Sequence, residues 1–284
     1  MEGTTFWKYH GTGNDFVVLE ALDGRPPWLT PETAARICDR HFGVGADGVL
    51  LVERGTRAPW FMRVINADGS EAEMCGNGIR CVARHLHDCL GVTGDEIAIE
   101  TLAGVKPCRV FLDDQGQVRT VRVGLGRPTL DPDAIPMATT GRVVTVEALG
   151  RTFEGHGVGM GNPHLVIFQG MTVSEAEAFG AVLSEHPAFP RKTNVEFVEP
   201  LGPGHFRVVV RERGCGVTLA CGTGAGATAV AAVGTGRARP GEPLQMDLPG
   251  GTLTLTVAED LSEVFLQGPA VRVFQGRFDP AWMP

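Results

Sequence analysis

Residues 61–78 read FMRVINADGSEAEMCGNG, and residues 206–224 read FRVVVRERGCGVTLACGTG. Each stretch opens with apolar and β-branched residues of strand character and closes on a cysteine followed by Gly-x-Gly. Asn66 and Glu212 both stand nine residues before their cysteines, Cys75 and Cys221. The correspondence extends upstream. GTGNDFVVLE at 11–20 matches GMGNPHLVIF at 159–168 and sets Asn14 over Asn162. ADGVLLVE at 46–53 matches TNVEFVE at 193–199 and sets Asp47 over Asn194. Collinear matches at a nearly constant offset indicate a duplicated unit.

Local patterns agree with that reading. FVVLE, VLLVE and FMRVIN read as strands. TPETAARICDRHFG at 30–43 reads as a helix with Thr30 as N-cap, Pro31 in the first turn and Gly43 as its stop. After Cys75, the apolar residues Ile79, Val82, Ala83, Leu86 and Leu90 fall at helical spacing, and Gly91 ends the run. After Cys221, GTGAGATAVAAVG carries no charge on any face, as a helix buried all round requires. EIAIETL, CRVFL, VRTVRVGL, RVVTVEAL, LQMDL, TLTLTV, EVFLQ and AVRVFQG read as further strands. The expected fold is α/β (α+β), with two pseudo-symmetric domains meeting at an active-site cleft. Each would be a curved, mostly antiparallel sheet around a central helix. GLGRP at 124–128 is the natural linker, so the expected domains are 1–124 with 270–284, and 125–269. The strand beyond Gly268 is left over from the second unit and can return to the first.

Composition narrows the function. With 43% hydrophobic and 20% charged residues, the chain has the profile of a soluble globular protein. A net charge of −8 argues against nucleic acid, which favours a basic face. No apolar run approaches the ~18 residues of a membrane span, and the N-terminus lacks the plan of a signal peptide. A cytoplasmic enzyme acting on a small molecule is expected. None of the seven cysteines forms a C-x-x-C pair and the eight histidines are dispersed, so no metal site is expected.

Cys75 and Cys221 each stand at the start of a Gly-rich helix. First-turn N–H groups lack intrahelical partners and carry the positive end of the helix dipole. They should draw a thiol below its free pKa of ~8.5, by at most about 1.5 units. They should also welcome a carboxylate, which glycines allow to approach. Inverting a stereocentre requires one proton removed and another delivered to the opposite face. Two thiols facing each other, one ionised, could do this, with amides stabilising the carbanion.

These motifs closely resemble those of the diaminopimelate epimerases, which belong to the PLP-independent two-cysteine racemases. The match includes GTGNDF at 11–16, FGVGADG at 42–48, NADGSEAEMCGNGIR at 66–80, GNPH at 161–164, TNVEF at 193–197, ERG at 212–214 and ACGTGAGA at 220–227. The resemblance implies interconversion of LL- and meso-2,6-diaminopimelate for lysine and peptidoglycan synthesis, without a cofactor, by a homodimer. It also implies that Cys75 and Cys221 are the acid–base pair. The amides of Gly76, Asn77, Gly222 and Thr223 would cradle the reacting carboxylate. Asn14, Asn66, Asn162, Asn194, Glu212 and Arg213 would grip the distal end. Arg213 suits a carboxylate and Glu212 an ammonium. His164 would orient a thiol or the substrate, or sit behind the site as a satisfied histidine. Where some members carry Gln, this chain has Gly48, so that side-chain contact is missing.

Two other readings remain open. A proline or hydroxyproline racemase would share the cysteines but need no distal grip, and Glu212-Arg213 together with GNGIR at 76–80 favours diaminopimelate. A thiol-disulfide switch would work through a Cys75–Cys221 link. The G-x-G-x-x-G at 43–48 is discounted as a dinucleotide site, because a helix precedes it and a strand follows. Cys38, Cys81, Cys89 and Cys108 read as packing residues, and Cys215 lies in the approach to Cys221.

Overall fold

The computed structural model describes residues 3–138 and 141–282. The chain divides into two compact units, one running to Val123 and resuming at Gly268, the other spanning Gly124–Gln267.

The first unit contains β1 (Thr5–Gly11), β2 (Asn14–Glu20), α1 (Pro31–Cys38), β3 (Gly48–Arg54), β4 (Trp60–Asn66), β5 (Glu71–Ala72), α2 (Gly76–Asp88), β6 (Glu96–Thr101), β7 (Gly104–Leu112) and β8 (Val118–Gly124). Strands β2 and β3 pair in parallel, as do β4 and β6. The β1–β2, β3–β4, β4–β5, β6–β7 and β7–β8 pairs are antiparallel. Central β2 and β3 are buried over continuous runs because helices cover the sheet. Ala34, Ile37 and Cys38 of α1 pack with Val17, Leu19, Val49, Leu51 and Ile65. Ile79, Cys81, Val82, Ala83 and Leu86 of α2 are wholly buried, and α2 contacts β1, β2, β3, β4, β6 and β7. Each of the Ile, Val and Leu side chains contributes roughly 1.5–3 kcal/mol when buried.

The second unit contains β9 (Val143–Ala148), β10 (Arg151–Gly159), β11 (Pro163–Ile167), α3 (Val173–Ser184), β12 (Asn194–Gly202), β13 (His205–Glu212), β14 (Gly216–Val217), α4 (Gly222–Gly234), β15 (Leu244–Leu248), β16 (Gly251–Val257) and β17 (Val264–Gly268). Its parallel pairs, β11–β12 and β13–β15, fall where those of the first unit do. The remaining pairings are antiparallel. The last strand, β18 (Val271–Arg277), returns to the first unit and pairs with β1. It takes there the place that β9 takes beside β10. The duplication read from the sequence is therefore a duplication of topology, with one strand supplied from the far end of the chain. As the uncharged sequence requires, α4 is buried from Gly224 to Ala232.

Helix α1 is shorter than its sequence pattern. Thr30 caps it, accepting from the Thr33 amide at 3.2 Å, but the helix ends at Cys38 rather than near Gly43. The Asp39 carboxylate takes the amides of His41 and Phe42, at 2.7 and 2.8 Å, and replaces the next helical turn. Gly43 then folds back so tightly that an added Cβ would stand 2.1 Å from the Arg36 carbonyl oxygen. Among the described residues, no helix is long and apolar enough to cross a membrane.

Candidate active site

In the first unit the β5–α2 junction presents Cys75. Its backbone is extended, and its sulfur accepts from the Gly78 amide at 3.4 Å, so the cysteine is the N-cap of α2. The thiol also stands 3.7 Å from Asn14 Oδ1, which accepts from Asn77 Nδ2 at 3.2 Å. The orientation of Asn14 is set from behind. Its Nδ2 donates to Asp47 Oδ2 at 2.8 Å, leaving Oδ1 for Cys75 and Asn77. Asp47 is held in turn by Arg40 at 2.8 Å, and Arg40 also binds Asp15 at 2.7 Å. Burial would raise the Asp15 carboxyl, but hydrogen bonds from Arg40 and Lys8 outweigh it and hold the group at about 2. The structure thus brings Asn14, Cys75 and Asn77 together. Asn66 instead donates to Ser70 Oγ at 3.0 Å and pairs across the strands with Gly48.

The second unit repeats the cap at its β14–α4 junction. Cys221 has extended backbone, accepts from the Gly224 amide at 3.3 Å and lies 3.5 Å from Thr223 Oγ1. His164 on β11 is wholly buried, with Nε2 2.9 Å from Asn162 Oδ1 and Nδ1 2.7 Å from Glu196 Oε1. Asn194 Oδ1 accepts from the Arg213 amide at 2.9 Å, and Glu212 accepts from Thr218 Oγ1 at 2.7 Å. The Arg213 guanidinium donates to the Arg191 carbonyl at 3.2 Å. Both arginines line a cavity of about 150 Å³ with Asn162, Gly161, Thr129 and Pro163, and among the described residues no acidic side chain lines it. Two arginines lining such a space suit a carboxylate guest.

One expectation is overturned at Cys221. The helix start was expected to lower the thiol pKa, yet the group is pushed well above the ordinary thiol range. Burial is the main cause and the negative charge of Glu212 adds to it, outweighing the hydrogen bonds from Thr223 and the Gly224 amide. An amide at a helix start shifts a thiol by little more than one unit, whereas full burial shifts an acid by several. Cys221 therefore holds its proton at neutral pH.

Three participants were not singled out from sequence. Asp47 was aligned through the repeat but not recognised as the group that orients Asn14. Arg191 precedes TNVEF in an exposed loop, and only the fold brings it to the cavity with Arg213. Glu196 carried a signal, as an acid within the otherwise apolar run NVEFV. It is wholly buried against His164, and its Oε2 has no hydrogen-bond partner among the described residues. The 43–48 glycine segment follows α1 and precedes β3, and its Gly45 carbonyl accepts from Lys8.

Comparison with known proteins accords with this geometry. The family model described as diaminopimelate epimerase matches residues 6–130 and 157–273. A protein of Moorella thermoacetica named diaminopimelate epimerase is 45% identical over 277 residues, covering 96% of this chain and 98% of that protein. Another of that name, from Desulforudis audaxviator, is 46% identical over 278 residues, with the same shares covered. Among solved structures, a hydroxyproline epimerase of Agrobacterium vitis with bound trans-4-hydroxy-L-proline superposes with a TM-score of 0.70 at 17% identity. It covers 99% of this chain and 95% of its own, and at that identity the likeness is one of fold alone. Matched along both halves of its duplication, the chain belongs to the diaminopimelate epimerase family.

Proposed function

We propose that Cys75 and Cys221 are the acid–base pair with which this isomerase epimerises 2,6-diaminopimelate, interconverting the LL and meso forms at one α-carbon. The observation that carries the assignment is their equivalence. Each cysteine caps the buried helix of its unit and accepts from the amide three residues on, at 3.4 and 3.3 Å. In this reading Cys221 enters the cycle as the thiol, and a thiolate at Cys75 removes the α-proton. The raised Cys221 proton affinity supports that order. In the reverse direction the two exchange roles.

The α-proton is a very weak acid, so charge stabilisation must supply most of the rate. The amides of Gly76, Asn77, Gly222 and Thr223 are proposed to hold the carboxylate on which carbanion charge accumulates. A single donor of this kind contributes roughly 3 kcal/mol to a transition state. Arg213, with Asn162 and Asn194, would take the distal carboxylate, while Glu212, Asn14 and Asn66 complete the grip. A substrate lacking the distal groups would leave those polar side chains without partners, which is how proline would be rejected. The reaction as proposed needs no cofactor, and the working form is proposed to be a cytoplasmic homodimer.

The test is epimerisation in D₂O by the parent protein, Cys75→Ala and Cys221→Ala, with proline as a second substrate. Deuterium should enter chiefly at the newly inverted centre, and both variants should lose epimerisation. Turnover near the parent rate in either variant would overturn the assignment. Preference for proline would overturn the substrate.

A further inference from the structure

We infer that Arg80 is a positioning residue for the Cys75 half of the site: beneath the first turn of α2, its guanidinium polarises the Gly76–Asn77 peptide and locks the Asn77 side chain. The inference rests on the reading of Cys75 as an acid–base residue and of the α2 amides as carboxylate donors.

Arg80 is wholly buried, yet no carboxylate pairs with it among the described residues. Every acceptor it uses is neutral. One terminal nitrogen donates to the Gly76 carbonyl and to Asn77 Oδ1, both at 3.0 Å. The other donates to Thr12 Oγ1 at 2.9 Å, and Nε donates to the Pro269 carbonyl at 3.2 Å. Burial brings the guanidinium down to about 10, so it stays charged at neutral pH. The negative charges that would favour its cation are thiolates at Cys81 and Cys75. Cys81, pushed up to about 12 by its own burial, remains a thiol. Cys75 is left as the place where a compensating anion can form.

The hydrogen bonds carry the effect to the reacting groups. Gly76 C=O and Asn77 N–H belong to one peptide unit. A cation on that oxygen makes the N–H a stronger donor, since linked hydrogen bonds polarise one another. The same guanidinium fixes Asn77 Oδ1, so that Nδ2 points to Asn14 Oδ1 beside the Cys75 thiol. Gly11 keeps the space open, because an added Cβ would stand 3.0 Å from both the Arg80 terminal nitrogen and the Asn77 carbonyl oxygen. The second unit has no counterpart. The residue five beyond Cys221 is Gly226, and the charges acting on Cys221 are those of Glu212 and Glu196. A buried cation thus stands behind Cys75, whereas two carboxylates act on Cys221. Packing alone would call for an apolar residue here, not a fork satisfied at four points.

The experiment uses the full chain with Arg80→Met and Arg80→Lys. In a Cys221→Ser background, iodoacetamide labelling of the Cys75 peptide is followed against pH by mass spectrometry, which requires no substrate. Arg80→Met should raise the labelling midpoint by about one unit, a roughly tenfold loss of thiolate near neutrality. In the parent background, Arg80→Met should lower kcat about a hundredfold with KM changed by less than about threefold. Arg80→Lys keeps the charge without the planar fork. It should hold the labelling midpoint near that of the parent and lose about tenfold in kcat. A cooperatively folded Arg80→Met with unchanged midpoint and kcat overturns the inference. If Arg80→Met does not fold, a fully active Arg80→Lys overturns it equally. Failure of the parent protein on diaminopimelate would instead count against the substrate, and the labelling midpoint would still decide the role of Arg80.

Discussion

His164 Nδ1 lies 2.7 Å from Glu196 Oε1, and neither side chain has any exposed surface. The other ring nitrogen faces Asn162 Oδ1 at 2.9 Å, so the imidazole meets an oxygen on each side. Burial pushes the Glu196 carboxyl up, the His164 ring opposes that rise, and Glu196 Oε2 has no partner among the described residues. Removing one member of such a pair leaves a buried polar group without its partner. Glu196→Ala should cost about 3 kcal/mol of stability, and Glu196→Gln, which keeps the volume, should cost less. Urea unfolding checks both. Equal stability of the Ala variant and the parent would show that the pair contributes nothing to the fold.

The Cys221 thiol is raised first by burial and then by the Glu212 carboxylate. Glu212→Gln removes the charge and leaves the burial. The thiol pKa should therefore fall, and at a fixed alkaline pH more of it should be ionised. Labelling of the Cys221 peptide by iodoacetamide should accelerate several-fold, by about 1.4 kcal/mol of lost repulsion per tenfold. A slower rate would mean that Glu212 mainly orders the loop through Thr218 rather than acting by its charge.

Burial pushes the Cys81 and Cys108 thiols up to about 12. In the unfolded chain each would ionise near ~8.5. Groups whose pKa is raised on folding stabilise the protein below the unfolded value, and that contribution is lost as pH rises toward the folded one. The buried thiols should therefore make stability decline between about pH 8.5 and 12. Cys108→Val should flatten that decline, measured as the urea midpoint against pH. An unchanged slope would place the alkaline sensitivity elsewhere.

Much of this was legible in the sequence because duplication and period report on topology. The spacing of Asn66 and Glu212 from their cysteines placed Cys75 and Cys221 at equivalent helix starts, and both are N-caps. The uncharged run after Cys221 could only be a buried helix. Strand β10 escaped notice because Gly155 and Gly157 interrupt its alternation. They are there to admit neighbours, since added Cβ atoms would stand 2.3 Å from Leu165 and 2.2 Å from Met137. Helix α3 was passed over although Thr172 and Glu175 form a capping box ahead of it. The protonation of Cys221 was not legible. It depends on burial and on two carboxylates that the fold, not the local motif, brings near. Arg191 escaped for the same reason, and Arg80 was read only as part of the GNGIR motif, because Thr12 and Pro269, which complete its set of acceptors, come from distant segments.

Gly48 stands where some members of the family carry Gln, and its surroundings explain why the side chain cannot simply be added. Gly48 on β3 pairs with Asn66 on β4, and an added Cβ would lie 2.8 Å from the Ile65 carbonyl oxygen. The obstacle is backbone, which cannot rotate aside as a side chain would. On the other side Phe16 pairs in register with Gly48 and lies 3.6 Å from the same Cβ position. Gly48→Gln alone should therefore destabilise the first unit by about 1–3 kcal/mol, the usual cost of overpacking. It should lower kcat/KM as well, because β3 follows directly on Asp47, which orients Asn14 beside Cys75. Urea unfolding and steady-state kinetics on the same variant test both outcomes. A variant as stable as the parent, with higher kcat/KM, would mean that β3 and β4 can separate enough to admit the side chain.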